Sequence, residues 1–134
     1  MNLIVCLDDK NGMMFNKRRQ SQDSVLRERV LALVPGTLYM SAYSAKQFGE
    51  NAKISVCEGF PTDLKENDFY FAEDAEISPD NIQKIIIYRW NRHYPADKRF
   101  EFDLSSLGFE KASAENFIGS SHPTITEEIY EKAR

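Results

Sequence analysis

Two stretches of this chain are apolar without a break, and most of the remainder alternates between apolar and polar residues. The two runs are Leu3-Ile-Val-Cys-Leu7 and Ile85-Ile-Ile-Tyr88, the latter inside Lys84 to Trp90. A strand covered on both faces has no polar side, so each run predicts an interior strand of a parallel-rich sheet. The first run stops on Asp8-Asp9. That is the carboxyl end of a strand, where open α/β sheets present their ligand sites.

Other segments carry a helical or a two-residue period. Asn11-Gly12 marks a turn, and residues 16–22 are polar and basic, which predicts a loop. Ser21 is the expected N-cap of a helix whose apolar stripe is Leu26, Val30, Leu33 and Val34, closed by Pro35-Gly36. Strands are expected over Thr37 to Met40, Ala52 to Cys57 and Asp68 to Ala72. A short helix is expected from Ser41 to Phe48, ended by Gly49. Ser78-Pro79-Asp80 predicts a capped helical turn with Pro first. Arg99 to Leu104 alternates Phe100, Phe102 and Leu104 against charged residues, the pattern of a half-buried strand. Phe109 to Ile118 is extended in character. Ile125 and Ile129 share a face of either a helix or a strand, so the segment 124–132 fits both. Helices and strands alternate in the first half, and strands follow strands in the second. The expected fold is a single α/β domain over residues 1–134, with a mixed, parallel-rich central sheet, flanking helices and an antiparallel C-terminal edge.

Composition narrows the function classes. With 134 residues, 42% of them hydrophobic, the chain can bury a core without a disulfide or a metal. A net charge of −4 speaks against a dedicated nucleic-acid binder, so nucleic acid is a possible but not a favoured partner. Cys6 and Cys57 both lie in apolar strand-like runs and are expected as thiols. Met1 leads into a strand with no basic leader, and no apolar run is long enough to span a bilayer. A cytoplasmic protein with no membrane partner is the expectation.

Four clusters carry candidate chemistry. Asp8 and Asp9 offer oxygen ligands for a divalent cation, against the simpler role of capping the turn before Gly12. Lys17-Arg18-Arg19 precedes a helix start, where cations and free N–H groups suit an anion, against a solvated loop. Arg89-Trp-Asn-Arg-His-Tyr94 holds the single Trp, so Trp90, Arg92, His93 and Tyr94 are candidates for stacking on a heterocycle and binding its charge. The alternative is an aromatic cover over the sheet edge. Ser120-Ser-His-Pro-Thr124 puts His122 among hydroxyls, but adjacent residues rarely make an oriented nucleophile–base pair, and a capping turn is the simpler role. There is no Walker loop, no GxGxxG, no HExxH and no Cys-x-x-Cys.

The order of elements resembles the dihydrofolate reductase fold. Leu3-Ile-Val-Cys-Leu-Asp8 is similar to that family's first strand. Leu38-Tyr-Met-Ser-Ala-Tyr-Ser-Ala-Lys-Gln-Phe48 is similar to the strand and helix carrying its Met-Gly-Arg-x-Thr-x-x-Ser-Phe signature. Ile85 to Arg89 with Phe100 to Leu104 looks like its late strand pair, and Ile125 to Lys132 like its last strand. The resemblance implies that the family's cofactor-phosphate Arg corresponds to Ala42 and the preceding Gly to Ser41. Glu58 stands where the cofactor's extra phosphate is read, and the Gly-Gly turn that cradles the pyrophosphate has no counterpart between Asp74 and Lys84. The substrate-binding carboxylate aligns with Asp23 or, without a gap, with Val25. These departures disfavour NADPH, and no cofactor is expected.

The expected function is a binding protein for a small anionic heterocyclic or nucleotide-like ligand, using Arg18, Arg19, Trp90, Arg92, His93 and Tyr94. The alternatives are a metal-assisted phosphoryl-transfer enzyme or nuclease using Asp8, Asp9 and His93 or His122, and a protein-interaction module. A homo-oligomer is also compatible with the sequence.

Overall fold

The computed structural model describes residues 1–133. Its centre is a pair of parallel strands, β1 (Asn2–Leu7) and β7 (Lys84–Arg89), hydrogen-bonded along their whole length from Asn2↔Lys84 to Leu7↔Arg89. These are the two uninterrupted apolar runs. Alternate side chains enter separate cores on the two faces of the sheet. Leu3, Val5, Leu7, Ile85 and Ile87 lie on one side, Ile4, Ile86 and Tyr88 on the other.

Five further strands complete this sheet: β4 (Leu38–Met40), β5 (Ile54–Val56), β6 (Phe69–Phe71), β9 (Phe109–Phe117) and β10 (Ile125–Lys132). The order across it is β5-β4-β6-β1-β7-β10-β9. Pairing is parallel from β5 to β7 and antiparallel from β7 through β10 to β9. The segment 124–132 is therefore strand. A continuous ladder on β7 decides between the two periodicities that Ile125 and Ile129 left open.

Helices α1 (Ser24–Leu33) and α2 (Ala42–Phe48) supply the core on the Ile86 face. Leu26, Val30 and Val34 are almost wholly buried there, and Ala45 and Phe48 pack beside them. Each large buried side chain contributes about 1.5–3 kcal/mol. Long irregular segments close the opposite face with Phe60, Leu64, Ile77, Ile82, Phe100, Phe102 and Leu104. Arg29 ties α1 to the antiparallel edge: its guanidinium reaches Glu127 at 2.9 Å and Glu115 at 2.7 Å and lies over the Phe117 ring.

Three expectations are corrected. The N-cap of α1 is Asp23, not Ser21: its carboxylate accepts the Val25 and Leu26 N–H groups, and an ionised cap holds two donors where a hydroxyl would hold one. Residues 16–22 are not all loop. β2 (Gly12–Phe15) turns through Asn16 and Lys17, both at positive φ, into β3 (Arg18–Arg19). Two such residues make the hairpin turn that matches strand twist, and Lys at this position gives no sequence warning of it. Arg99 to Leu104 is not a strand of the main sheet. Only β8 (Lys98–Arg99) is paired, with β2, in a separate three-stranded sheet β3-β2-β8. Phe100, Phe102 and Leu104 still point into the core, because a two-residue period reports side-chain direction and not a backbone partner.

The β9–β10 ribbon carries a bulge. Ile129 faces Ser113 but Tyr130 faces Lys111, leaving Ala112 as the extra residue. Side-chain direction inverts there. Phe109 enters one core and Phe117 packs against the other, although eight positions separate them.

Candidate functional site

The carboxyl ends of β4, β6, β1 and β7 share one rim of the sheet, and three segments meet over it. They are the 8–12 turn, the β2–β3 hairpin and the 90–97 loop. Asp8 fastens them together. It is 1% exposed. One carboxylate oxygen accepts the N–H groups of Lys10 at 2.9 Å and Gly12 at 2.7 Å; the other accepts Gln20 Nε2 and the Tyr94 N–H, each at 3.1 Å. Burial raises the carboxyl pKa, but these four donors outweigh it and hold Asp8 below its usual range. Gly12 is required for the closure, since a Cβ there would lie 2.8 Å from Asp8 Oδ2. Asp9 is exposed, in contrast to Asp8, and its N–H donates to the Arg92 carbonyl at 2.9 Å. No group of three acidic, His or Cys side chains suited to a metal occurs among the described residues.

Arg18 and Arg19 have different environments. Arg19 forms a two-point ion pair with Glu73, at 3.0 and 3.2 Å, and lies over the Tyr43 ring at 4.4 Å. Its N–H donates to the Tyr43 hydroxyl at 2.7 Å, so the hairpin is pinned to α2. Beneath this clamp lie Cys6, Met13, Ala72 and Trp90, around a cavity of only about 10 Å³, room for one water. Burial pushes the Cys6 thiol pKa well up, which leaves it a poor nucleophile. Arg18 is exposed and has no ion-pair partner among the described residues.

Outside the clamp a groove of about 540 Å³ runs between the hairpin and the loop, lined by Phe15, Asn16, Arg18, Arg19, Gln20, Tyr94 and Pro95. The Gln20 amide is fixed at its base. Its Nε2 faces two acceptors, the Asp8 carboxylate and the Pro95 carbonyl at 3.2 Å, so the orientation is unambiguous. Gln20 Oε1 is then buried with no donor. Arg18, Arg19 and Tyr94 are thus brought together. Arg92 and His93 are exposed residues of the loop and do not line the groove, and their side chains have no hydrogen-bond partner among the described residues. Trp90 is 3% exposed, below the rim.

A second polar cluster lies behind Trp90. His122, 4% exposed, stacks on the indole with 4.5 Å between centroids and 27° between planes. Its Nδ1 is 3.0 Å from Asp23 Oδ2, and its Nε2 is 3.0 Å from Ser21 Oγ and 3.3 Å from the Tyr94 hydroxyl. Asp23 also accepts the backbone N–H groups of Ser120 and Ser121. Burial acts to raise its pKa, yet those bonds, with His122 and Leu26, drive it far below the ordinary carboxylate value. A Cβ on Gly119 would collide with this carboxylate, so glycine lets the 119–122 turn close on it. In the sequence Ser21 reads as a helix cap, Asp23 only as a possible counterpart of the family's substrate carboxylate, and Ser120 to Thr124 as a capping turn. Nothing local to either segment signals that 99 positions of chain bring them together.

No family model matches the chain, and no curated protein matches it. A solved structure of dihydrofolate reductase from Enterococcus faecalis, complexed with NADP(H) and RAB-propyl, superposes with a TM-score of 0.70. The fold is that of dihydrofolate reductase. The match covers 99% of this chain and 96% of the Enterococcus reductase, at 10% sequence identity. At that identity the likeness describes a shared dihydrofolate reductase scaffold and carries no reaction with it. No helix among the described residues is long and apolar enough to cross a membrane.

Proposed function

We propose that this chain is a binding protein, without reductase activity, for a small anionic ligand carrying a flat heterocycle. The site is the groove between the β2–β3 hairpin and the 91–97 loop. The observation that carries the reading is a coincidence at one place. An unpaired cation, Arg18, shares a groove with the aromatic side chains of Phe15 and Tyr94. An anion would take Arg18, and a ring would stack on the aromatics. About 540 Å³ falls within the range of small-molecule sites.

Metal-assisted phosphoryl transfer through Asp8 and Asp9 has less support. Asp8 directs its oxygens at four N–H donors, and a cation would have to displace them. The test is a thermal-shift screen of nucleoside monophosphates, pterins and inorganic phosphate on the wild type and on Arg18→Ala. A ligand at 100 times its Kd stabilises by about 2.7 kcal/mol. We expect a shift in the wild type that the variant loses. Equal shifts in both proteins, or none in either, would remove the groove as the site.

A further inference from the structure

We propose that Ser21, His122 and Asp23 form a nucleophile–base–orienter relay that makes Ser21 reactive toward small activated esters. The three side chains are hydrogen-bonded in series, Ser21 Oγ to His122 Nε2 at 3.0 Å and His122 Nδ1 to Asp23 Oδ2 at 3.0 Å. Each link has the geometry such a relay requires. Asp23 Oδ2 accepts the hydrogen on Nδ1. That fixes the tautomer and leaves Nε2 with its lone pair toward Ser21. The ring itself is held by Trp90 on one face, and Asp23 by the α1 N–H groups and the 119–122 turn. A base in a merely solvated capping turn would have none of this support.

The reaction would run as follows. Ser21 Oγ attacks the ester carbonyl carbon while its proton passes to His122 Nε2. The tetrahedral adduct then expels the ester's alkoxide or phenolate leaving group, which takes that proton from Nε2. Ser21 is left as its acyl ester, and water, activated by the same Nε2, releases the acid. Electrons and protons balance with no added reagent. The backbone N–H groups of Ser21 and Gln22 have no acceptor among the described residues, so donors for the developing oxyanion remain available beside the nucleophile. Size sets the substrate class. Ser21 borders a cavity with room for a single water, so no acyl group enters on that side; the ester must approach from the half-exposed side of the residue, which suits a small acyl group such as acetyl.

Tyr94 supplies an internal control. Its hydroxyl is 3.3 Å from the same Nε2 and competes with Ser21 for the one lone pair. Removing it leaves Nε2 to Ser21 alone. The inference does not depend on the anion groove, whose test uses Arg18.

The experiment is acetylation by p-nitrophenyl acetate followed by peptide mass spectrometry, with folding checked by circular dichroism. General-base assistance is worth at least about 100-fold, so Ser21 should be acetylated about 100-fold faster than Ser120. Ser21→Ala should lose the adduct, and His122→Gln should slow it to the Ser120 rate. Tyr94→Phe should raise the rate about twofold. Failure to acetylate Ser21 in folded wild type, or equal rates at Ser21 and Ser120, would overturn the relay. If His122→Gln does not fold, an unchanged or lower Ser21 rate in folded Tyr94→Phe would do the same.

Discussion

Trp90 and His122 stack face to face, 4.5 Å between ring centroids, at the seam between the end of β7 and the turn that leads into β10. Each covers one face of the other, and His122 also carries hydrogen bonds to Asp23 and Ser21. His122→Ala opens a void beside the indole and removes one of two side-chain donors to a buried carboxylate, the Ser121 hydroxyl being the other. We expect a loss of about 3 kcal/mol, read from urea unfolding. The emission of Trp90, the single Trp of the chain, should move to the red in the folded variant as water reaches the ring.

Asp8→Asn places an amide NH₂ opposite N–H donors that now meet a carboxylate oxygen. Two donors lose their acceptor in a buried site. The expected cost is about 1–3 kcal/mol in thermal unfolding. The same change should slacken both walls of the groove, because Gln20 and Tyr94 are aligned through Asp8. Magnesium or manganese should not restore the lost stability.

Acid should act through Asp23. Its carboxyl pKa is depressed in the folded protein, and about 3.9 is expected when the chain is unfolded. The unfolded state then binds the proton more readily. Stability from Asp23 is complete above about pH 5 and falls as the pH drops through about 4 toward the folded pKa. Asp8, shifted in the same direction, adds to the slope. In Asp23→Asn the acid limb of the stability curve should flatten, while stability at neutral pH falls by about 1–3 kcal/mol.

NADPH should not bind. Ser41, where the resemblance expects a glycine, caps α2 and donates to Asp74 at 2.6 Å, and Ala42 offers no cation. Calorimetry at ordinary salt should give no heat of binding. A micromolar dissociation constant would end this expectation.

The parts of the fold that are legible in the sequence are those set by burial alone. Leu3 to Leu7 and Ile85 to Tyr88 have no polar face, and they are the two central strands. Leu26, Val30 and Val34 mark the buried stripe of α1. Elements set by backbone geometry or by distant partners are not legible. The hairpin at Asn16-Lys17 needs two positive-φ residues that do not announce themselves. Arg99 to Leu104 alternates for a core it reaches without a ladder. In the candidate site, Arg18, Arg19 and Tyr94 could be named from local chemistry. The acceptor left on Gln20 and the bond from Ser21 to His122 exist only after the chain has closed, since the partners that fix them come from segments up to 101 positions away.

The displaced residue in β9 acts like a zip fastener with one tooth out of line. This strand ends the sheet with a row of unpaired peptide groups nine residues long. A second strand could mate with either half, but not with both while keeping its own side chains in step, because the half holding Phe109 and the half holding Phe117 face opposite ways. The irregularity that lets one strand seal two cores therefore also denies fibrils an even template along this margin.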